Sequence, residues 1–590
     1  MRPVPPGTGK KILFGGAAVL LCFGLLEGVF ALAGVKPQLY AQDPYVGFSS
    51  STPLFVAEND PSGEAYLVTA ANRLDFFNRQ RFPKAKPAGT CRIFSMGGST
   101  TYGHPYSDPT SFSGWLREYL RATSPEKPTE VINAGGISYG SYRVAQLMEE
   151  LVKDQPDLFL IYCGQNEFLE RRIYGQVERV PRAIRGLAGL AWHLRTATVL
   201  DRLLQPVRAI RRDEAAARTV LENDPVTMLD GSLGPTAYTR DDQQREQIFR
   251  HFEFNVRRMV DIARSAGAQV IFVTPASNLR EVSPFKSEHR EGLGPEDRAR
   301  WKALYDQARQ DFASAVPGNA LPALAAAEAI DNRPANLHYV RGRVLEKLGR
   351  YPEARAAYER ARDEDVCPLR APTQIREVLS RVTADLKVPL VDFESLIASR
   401  STHGIPGGDY FLDHVHLTVE GYRLLALELL KQMERNGLVH PNWDSALLDR
   451  TTSSVLSRID SKVNGVALMN LCKTLGWAGK REEAYRAGLR AVELAGDIAD
   501  VQYQAGLAAQ LSSRTNEAQA FYRRAIALQP AFGEAHCALG VVLEDTGQWP
   551  QALDQFQLAA HYGKPNTVQR DQQNLARIRK KVAETPGRHP

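Results

Sequence analysis

The 590 residues include six cysteines, Cys22, Cys91, Cys163, Cys367, Cys472 and Cys537, far apart, with no CxxC pair and no short metal-ligand spacing. That scarcity predicts neither a disulfide framework nor a zinc site. Charge of one sign is equally scarce: 73 basic residues against 67 acidic ones leave a formal charge of +6. This is too little for a polyanion-binding footprint, so nucleic acid is not an expected partner. Nothing in the composition calls for a metal or cofactor. Apolar residues, by contrast, make up 43% of the chain, ample to fold two or more domains at this length.

The longest hydrophobic run lies at the N-terminus, where Arg2, Lys10 and Lys11 precede an apolar stretch over 12–35 broken by Glu27. It is long enough to span a bilayer. Positive charge ahead of it predicts a cytoplasmic N-terminus at 1–11, a transmembrane signal anchor at 12–35 and an extracytoplasmic body, periplasmic or at the cell surface. The rival reading is a cleaved signal peptide, since Ala31-Leu32-Ala33 has the A-x-A form of a cleavage site.

Beyond the anchor, 36–90 reads as a polar linker that ends by packing through Phe76, Phe77 and Phe82. Short apolar runs at 92–95, 130–132, 158–162, 269–274 and 389–392 then alternate with amphipathic helical stretches. Strand–helix alternation predicts a parallel sheet covered on both faces, with active groups on loops at the carboxyl ends of the strands. Within 170–219 a run of arginines beside Leu187, Leu190, Trp192 and Leu203 reads as basic amphipathic helices, either a solvated excursion or a contact with anionic headgroups or the site.

A second pattern has a period of 34 residues. Ala484, Ala491 and Leu494 recur as Ala518, Ala525 and Leu528, and again as Ala552, Ala559 and Tyr562; Gly342, Tyr351, Ala354, Tyr358 and Ala361 repeat the same offsets earlier. A 34-residue period with small residues at helix crossings and a large one nearby resembles the tetratricopeptide repeat. The boundaries read as a catalytic part at 91–292, an inserted repeat pair at 293–365, a second catalytic part at 366–440, a linker at 441–462, a C-terminal array at 463–565 and a tail at 566–590.

Four short blocks carry the chemistry. Ser99 stands in Gly97-Gly98-Ser99-Thr100 after the first strand, Asn133-Ala134-Gly135-Gly136 follows the second, Gly164-Gln165-Asn166-Glu167 ends the third, and Asp413-His414-Val415-His416 precedes a helix. A serine hydroxyl becomes a nucleophile when an imidazole takes its proton and a carboxylate orients that imidazole. In isolation the first two blocks read equally well as turns and the last as a helix cap or a two-histidine metal site.

Together and in this order the blocks resemble the SGNH, or GDSL-type, hydrolases. The resemblance implies a flavodoxin-like three-layer α/β domain bearing all-α repeats, with Ser99 as nucleophile in a Gly-Gly-Ser variant, His416 as base and Asp413 as its partner. It implies an oxyanion site made by the Ser99 N–H, the Asn166 carboxamide, and the N–H of Ser138 or of Gly140, depending on the loop's register. Glu167 stands where the family has Asp. On position alone, Tyr102, Tyr139, Arg143 and Gln165 are candidates for substrate contact. The implied activity is hydrolysis of a small-molecule or carbohydrate ester through an acyl-serine, with the repeats taking a protein or peptide partner. Two other readings stay open: transfer of the acyl group to an envelope or exopolysaccharide sugar, and a silent scaffold.

Overall fold

The computed structural model describes residues 24–32, 53–169, 195–196 and 238–583, save 315, 478 and 564–567. The Arg-rich excursion at 170–219, apart from 195–196, and most of the anchor at 12–35 lie outside the described residues. Among the described residues no helix is long and apolar enough to cross a membrane.

Among the described residues, eight strands form two sheets. β1 (Phe55–Asn59), β2 (Ala65–Thr69) and β3 (Arg81–Pro83) make an antiparallel sheet in the order β1-β2-β3. Here the structure corrects the expectation of a linker over 36–90. Phe55 and Phe82 meet edge to face at 5.0 Å, and Phe82 meets Phe94 of the next sheet at 5.9 Å. The alternating apolar side of these short strands is therefore part of the main core, which a linker's would not be.

The second sheet holds β4 (Cys91–Gly97), β5 (Thr129–Gly135), β6 (Leu158–Tyr162), β7 (Gln269–Val273) and β8 (Leu390–Val391), all parallel, in the order β5-β4-β6-β7-β8. Successive side chains of these strands point to opposite faces. Phe94, Met96, Phe159 and Ile161 enter one core with α3 (Ser141–Leu151), α4 (Asp242–Ser265) and α9 (Thr373–Leu386). Ile93, Leu158, Leu160 and Tyr162 enter the other with α2 (Phe112–Thr123) and α11 (Val419–Arg435). Both faces being covered explains why the strands read as nearly unbroken apolar runs. The chain leaves β4 to one side for β5 and returns to the other for β6, so the sheet reverses direction there, and in open α/β sheets such reversals open a crevice at the carboxyl ends.

Between β4 and α2 lies the short α1 (Ser99–Tyr102), and between β8 and α11 lies α10 (Phe393–Arg400). The insertion between β7 and α9 is two helical hairpins, α5 (Pro295–Ala313) with α6 (Ala320–Ile330) and α7 (Ala335–Lys347) with α8 (Tyr351–Asp363). After α11, the stretch expected as a linker at 441–462 contains a helix, α12 (Ser445–Ser457). It is capped by Asp444 and bonded to α2 through Thr452 Oγ1 and the Tyr119 hydroxyl at 2.8 Å. Its few apolar residues gave little periodicity to read.

The C-terminal array consists of hairpins α13–α14 (Ser461–Trp477, Arg481–Ala495), α15–α16 (Ala499–Leu511, Thr515–Leu528) and α17–α18 (Gly533–Asp545, Trp549–Tyr562). The segment expected as a tail at 566–590 instead contributes α19 (Val568–Ala583), which closes the stack. It buries Ile578 and bonds Asn574 to Cys537 and Arg577 to Glu544. A repeat stack needs a polar-faced helix at its end, and α19 is charged enough to be one.

Candidate active site

Ser99 is the first residue of α1, directly off the carboxyl end of β4. The turn before it is narrow: a Cβ on Gly98 would lie 2.5 Å from Asn166 Nδ2 and 3.1 Å from the Tyr139 carbonyl oxygen. Glycine at 98 thus lets the β4, β5 and β6 loops converge on the serine.

Asp413 and His416 arrive from the far end of the chain on a turn that closes on itself. One Asp413 oxygen accepts the N–H groups of Val415 at 2.9 Å and His416 at 2.7 Å, and the Leu412 N–H donates to the His416 carbonyl at 2.8 Å. Thr418 then caps α11 by accepting from the Gly421 N–H. The second Asp413 oxygen lies 2.5 Å from His416 Nδ1, and His416 Nε2 lies 2.7 Å from Ser99 Oγ. An ionised carboxylate can only accept, so Nδ1 carries the proton and Nε2 accepts from the serine hydroxyl. Burial alone would raise the Asp413 carboxyl; the neighbouring His416 and His414 and the hydrogen bonds from His416 outweigh it and hold the group ionised, well below the usual range.

Two further imidazoles flank the base. His104 sits with its ring centroid 4.7 Å from that of His416, its peptide carbonyl accepting from the Tyr422 hydroxyl. Burial first, and the proximity of His416 second, push it down to about 3. His414 is 5.8 Å from His416 and is pushed down to about 4 by burial despite the pull of Asp413. Both rings are therefore neutral at physiological pH, leaving His416 without a cationic imidazole beside it. Nothing in the sequence singled out His104.

The oxyanion side is built from the β5 and β6 loops. Asn166 donates one amide hydrogen to the Tyr139 carbonyl at 3.1 Å, and a carboxamide has a second to give. The peptide linking Tyr139 to Gly140 is therefore the one that abuts Asn166 and Gly98. Ser138 is buried two residues earlier with a left-handed φ of 63°. This loop is pinned by the Gly136 N–H donating to the Gly97 carbonyl and the Ile137 N–H donating to the Phe76 carbonyl, so the N-terminal sheet region backs it. Glu167 accepts from both the Ser141 N–H at 3.0 Å and the Ser141 hydroxyl at 2.6 Å, tying the β6 loop to the start of α3. Burial outweighs those two bonds and pushes its carboxyl up to about 7.

The four candidate substrate contacts lie on the loops that follow β4, β5 and β6 or on the helices that begin there. Tyr139, Arg143 and Gln165 are buried, with the Arg143 guanidinium 4.9 Å from the Tyr139 ring centroid and Phe77 packed edge-on against that ring. Arg143 and Phe77 brace the Tyr139 ring. The Tyr102 carbonyl accepts from the carboxamides of Asn78 and Asn133, and its ring is half-buried.

The tetratricopeptide-repeat family model matches residues 335–365, and a second tetratricopeptide-repeat model matches residues 499–532. No curated protein matches the chain. Among solved structures, an acetyl-xylooligosaccharide esterase from Geobacillus Stearmophilus overlaps at 12% identity and TM-score 0.27, covering 58% of this chain and 93% of its own. A protein assigned to the G-D-S-L lipolytic family of Desulfitobacterium hafniense DCB-2 overlaps at 9% identity and TM-score 0.25, covering 58% and 98%. The Sgt2 tetratricopeptide domain of Aspergillus fumigatus overlaps at 15% identity and TM-score 0.20, covering 22% and 85%. Overlaps this loose add nothing to what the sheet order and the site distances already say. By its blocks and the geometry they adopt, the chain resembles the SGNH hydrolases, and it carries tetratricopeptide repeats on that body.

Proposed function

We propose that this chain is a serine esterase, held to the membrane by residues 12–35 with its body outside the cytoplasm, and that its repeats take a protein or peptide partner. The observation that carries the esterase reading is the unbroken line from Asp413 through His416 to Ser99, with separations of 2.5 Å and 2.7 Å. His416 Nε2 takes the Ser99 proton as Oγ attacks the ester carbonyl. The imidazolium formed, stabilised by Asp413, returns that proton to the departing alcohol and leaves an acyl-serine. Water, deprotonated by the same nitrogen, then releases the acid and restores the serine. Charge on the carbonyl oxygen is met by the Ser99 N–H, the second Asn166 amide hydrogen and the N–H of Ser138 or of Gly140, each such donor being worth about 3 to 4 kcal/mol in the transition state.

Purified full-length protein should hydrolyse p-nitrophenyl acetate and take a fluorophosphonate label, and Ser99→Ala should lose both. A Ser99→Ala protein that turns over the ester at the wild-type rate sinks the assignment.

A further inference from the structure

The loop that follows β7, residues 274–286, is gripped from several sides. Tyr339 of the inserted repeats donates its hydroxyl to the Arg280 carbonyl at 3.0 Å. From the segment joining α8 to α9, buried Arg370 donates to the carbonyls of Asn278 at 3.0 Å and Val282 at 2.9 Å, and Asp365 accepts the N–H groups of Phe285 and Lys286. From the C-terminal array, Arg486 donates to the Glu281 carbonyl at 2.9 Å, and Arg490 donates to the carbonyl of Gly408, whose own N–H donates to the Glu281 carboxylate at 2.7 Å.

The deepest of the array's contacts is Lys480, the residue before α14. Its ammonium is buried and donates to the Ser283 carbonyl at 2.7 Å, the Pro284 carbonyl at 3.0 Å and the Ser283 hydroxyl at 3.2 Å. It also stands 4.1 Å from the centroid of the Phe285 ring. A buried ammonium is tolerated only where its hydrogens find acceptors, so the turn and the lysine fix each other's position. Burial pushes Lys480 down to about 8 against the pull of Glu483 and Asp365. The contact continues into the site: Phe285 meets His414 edge to face at 5.3 Å, His414 meets His416 at 5.8 Å, and the Asn278 N–H donates to the His414 carbonyl at 3.0 Å.

We infer that Lys480, supplied by the C-terminal repeat array, is a positioning residue for the acyl transfer proposed above, holding the Ser283–Phe285 turn so that Phe285 and His414 keep the His416 ring aimed at Ser99. This rests on the esterase reading. It makes the first repeat of the array a working part of the site, alongside any docking role of the array.

The test uses the full chain and two readouts: the rate of fluorophosphonate labelling at Ser99, which reports the alignment of His416, and the kinetics of p-nitrophenyl acetate hydrolysis. Lys480→Met should slow labelling and lower kcat by about ten- to a hundredfold, the loss that a small misplacement of a reacting group brings, while KM stays within about twofold. Lys480→Arg, which keeps the charge and the donors, should recover part of the loss. Arg514→Met removes a cation of the same array that pairs with Glu482 and stacks on Tyr485, and should leave both readouts unchanged. Lys480→Met labelling at the wild-type rate, or a loss matched by Arg514→Met, overturns the inference. Should Lys480→Met fail to fold, Phe285→Leu, which keeps the packing but removes the ring under the ammonium, takes its place with the same expected loss, and unchanged labelling overturns it. A wild-type protein that takes no label sinks the esterase reading itself, before any variant is compared.

Discussion

Glu167 ties the loop bearing Asn166 to the start of α3, one residue after Gly140, through a carboxylate that burial has pushed up to about 7. Between the ordinary 4.5 and that value, the folded protein keeps a proton that the unfolded chain has given up. This contribution to stability is complete below the unfolded value and is lost as pH rises through the folded one. Glu167→Gln retains an acceptor for Ser141 but cannot ionise. Urea midpoints measured at about pH 5 and about pH 8 should therefore differ less in the variant than in the wild type, with the wild type losing stability toward the higher pH. An equal slope in the two proteins rules out Glu167 as its source. The sequence marked the position, because Glu stands where the family has Asp, but its partner could not be read. Ser141 and Asn255, which donates to the Ser141 hydroxyl at 3.0 Å, come from two different helices. The same holds for His104. A histidine five residues after the serine has no pattern to mark it, and its place against His416 is set by the meeting of two loops more than three hundred residues apart. The spacing of Asp413 and His416, by contrast, was readable because one turn holds both.

At the scale of elements, the repeats were readable for the reason that makes them stable. In three of the hairpins the first helix carries a glycine sixteen residues ahead of an aromatic on the second: Gly342 with Tyr358, Gly506 with Tyr522, Gly540 with Phe556. A Cβ on Gly342, Gly506 or Gly540 would lie 2.7, 2.6 or 2.8 Å from its ring, so the helices cross only because that atom is missing. The periodic requirement leaves a periodic sequence, whereas α12 and the β1–β3 sheet answer to single contacts with α2 and Phe94 and leave none. Gly506→Ala gains helix propensity in principle, but the Tyr522 ring, fully buried, has no room to retreat. Overpacking of this kind typically costs about 1 to 3 kcal/mol. The variant should melt at a lower temperature than the wild type, while Gly479→Ala, in a turn with a positive φ but nothing within 4 Å, serves as a strain-only comparison. A Gly506→Ala protein melting at or above the wild-type temperature would show that the helix pair opens to accept the methyl group.

At the scale of the whole molecule, catalytic body and repeats share packing as well as hydrogen bonds, since Tyr106 and Leu412, on loops either side of the triad, belong to the same apolar cluster as Leu468 and Met469 of α13. In the N-terminal segment, Glu27 accepts the N–H groups of Arg195 and Thr196 at 2.9 Å and 2.8 Å. A carboxylate in an apolar stretch is costly unless its oxygens find donors, and Glu27 finds them in Arg195 and Thr196. The stretch exceeds the roughly 20 apolar residues a bilayer crossing needs. Expressed in full, the protein should sediment with membranes through an alkaline carbonate wash and leave them only with detergent, and deletion of residues 12–35 should release an esterase that still takes the fluorophosphonate label. Recovery of the full-length chain in the carbonate supernatant would show that the segment does not span, and a supernatant protein beginning just after Ala33 would show that it is removed instead.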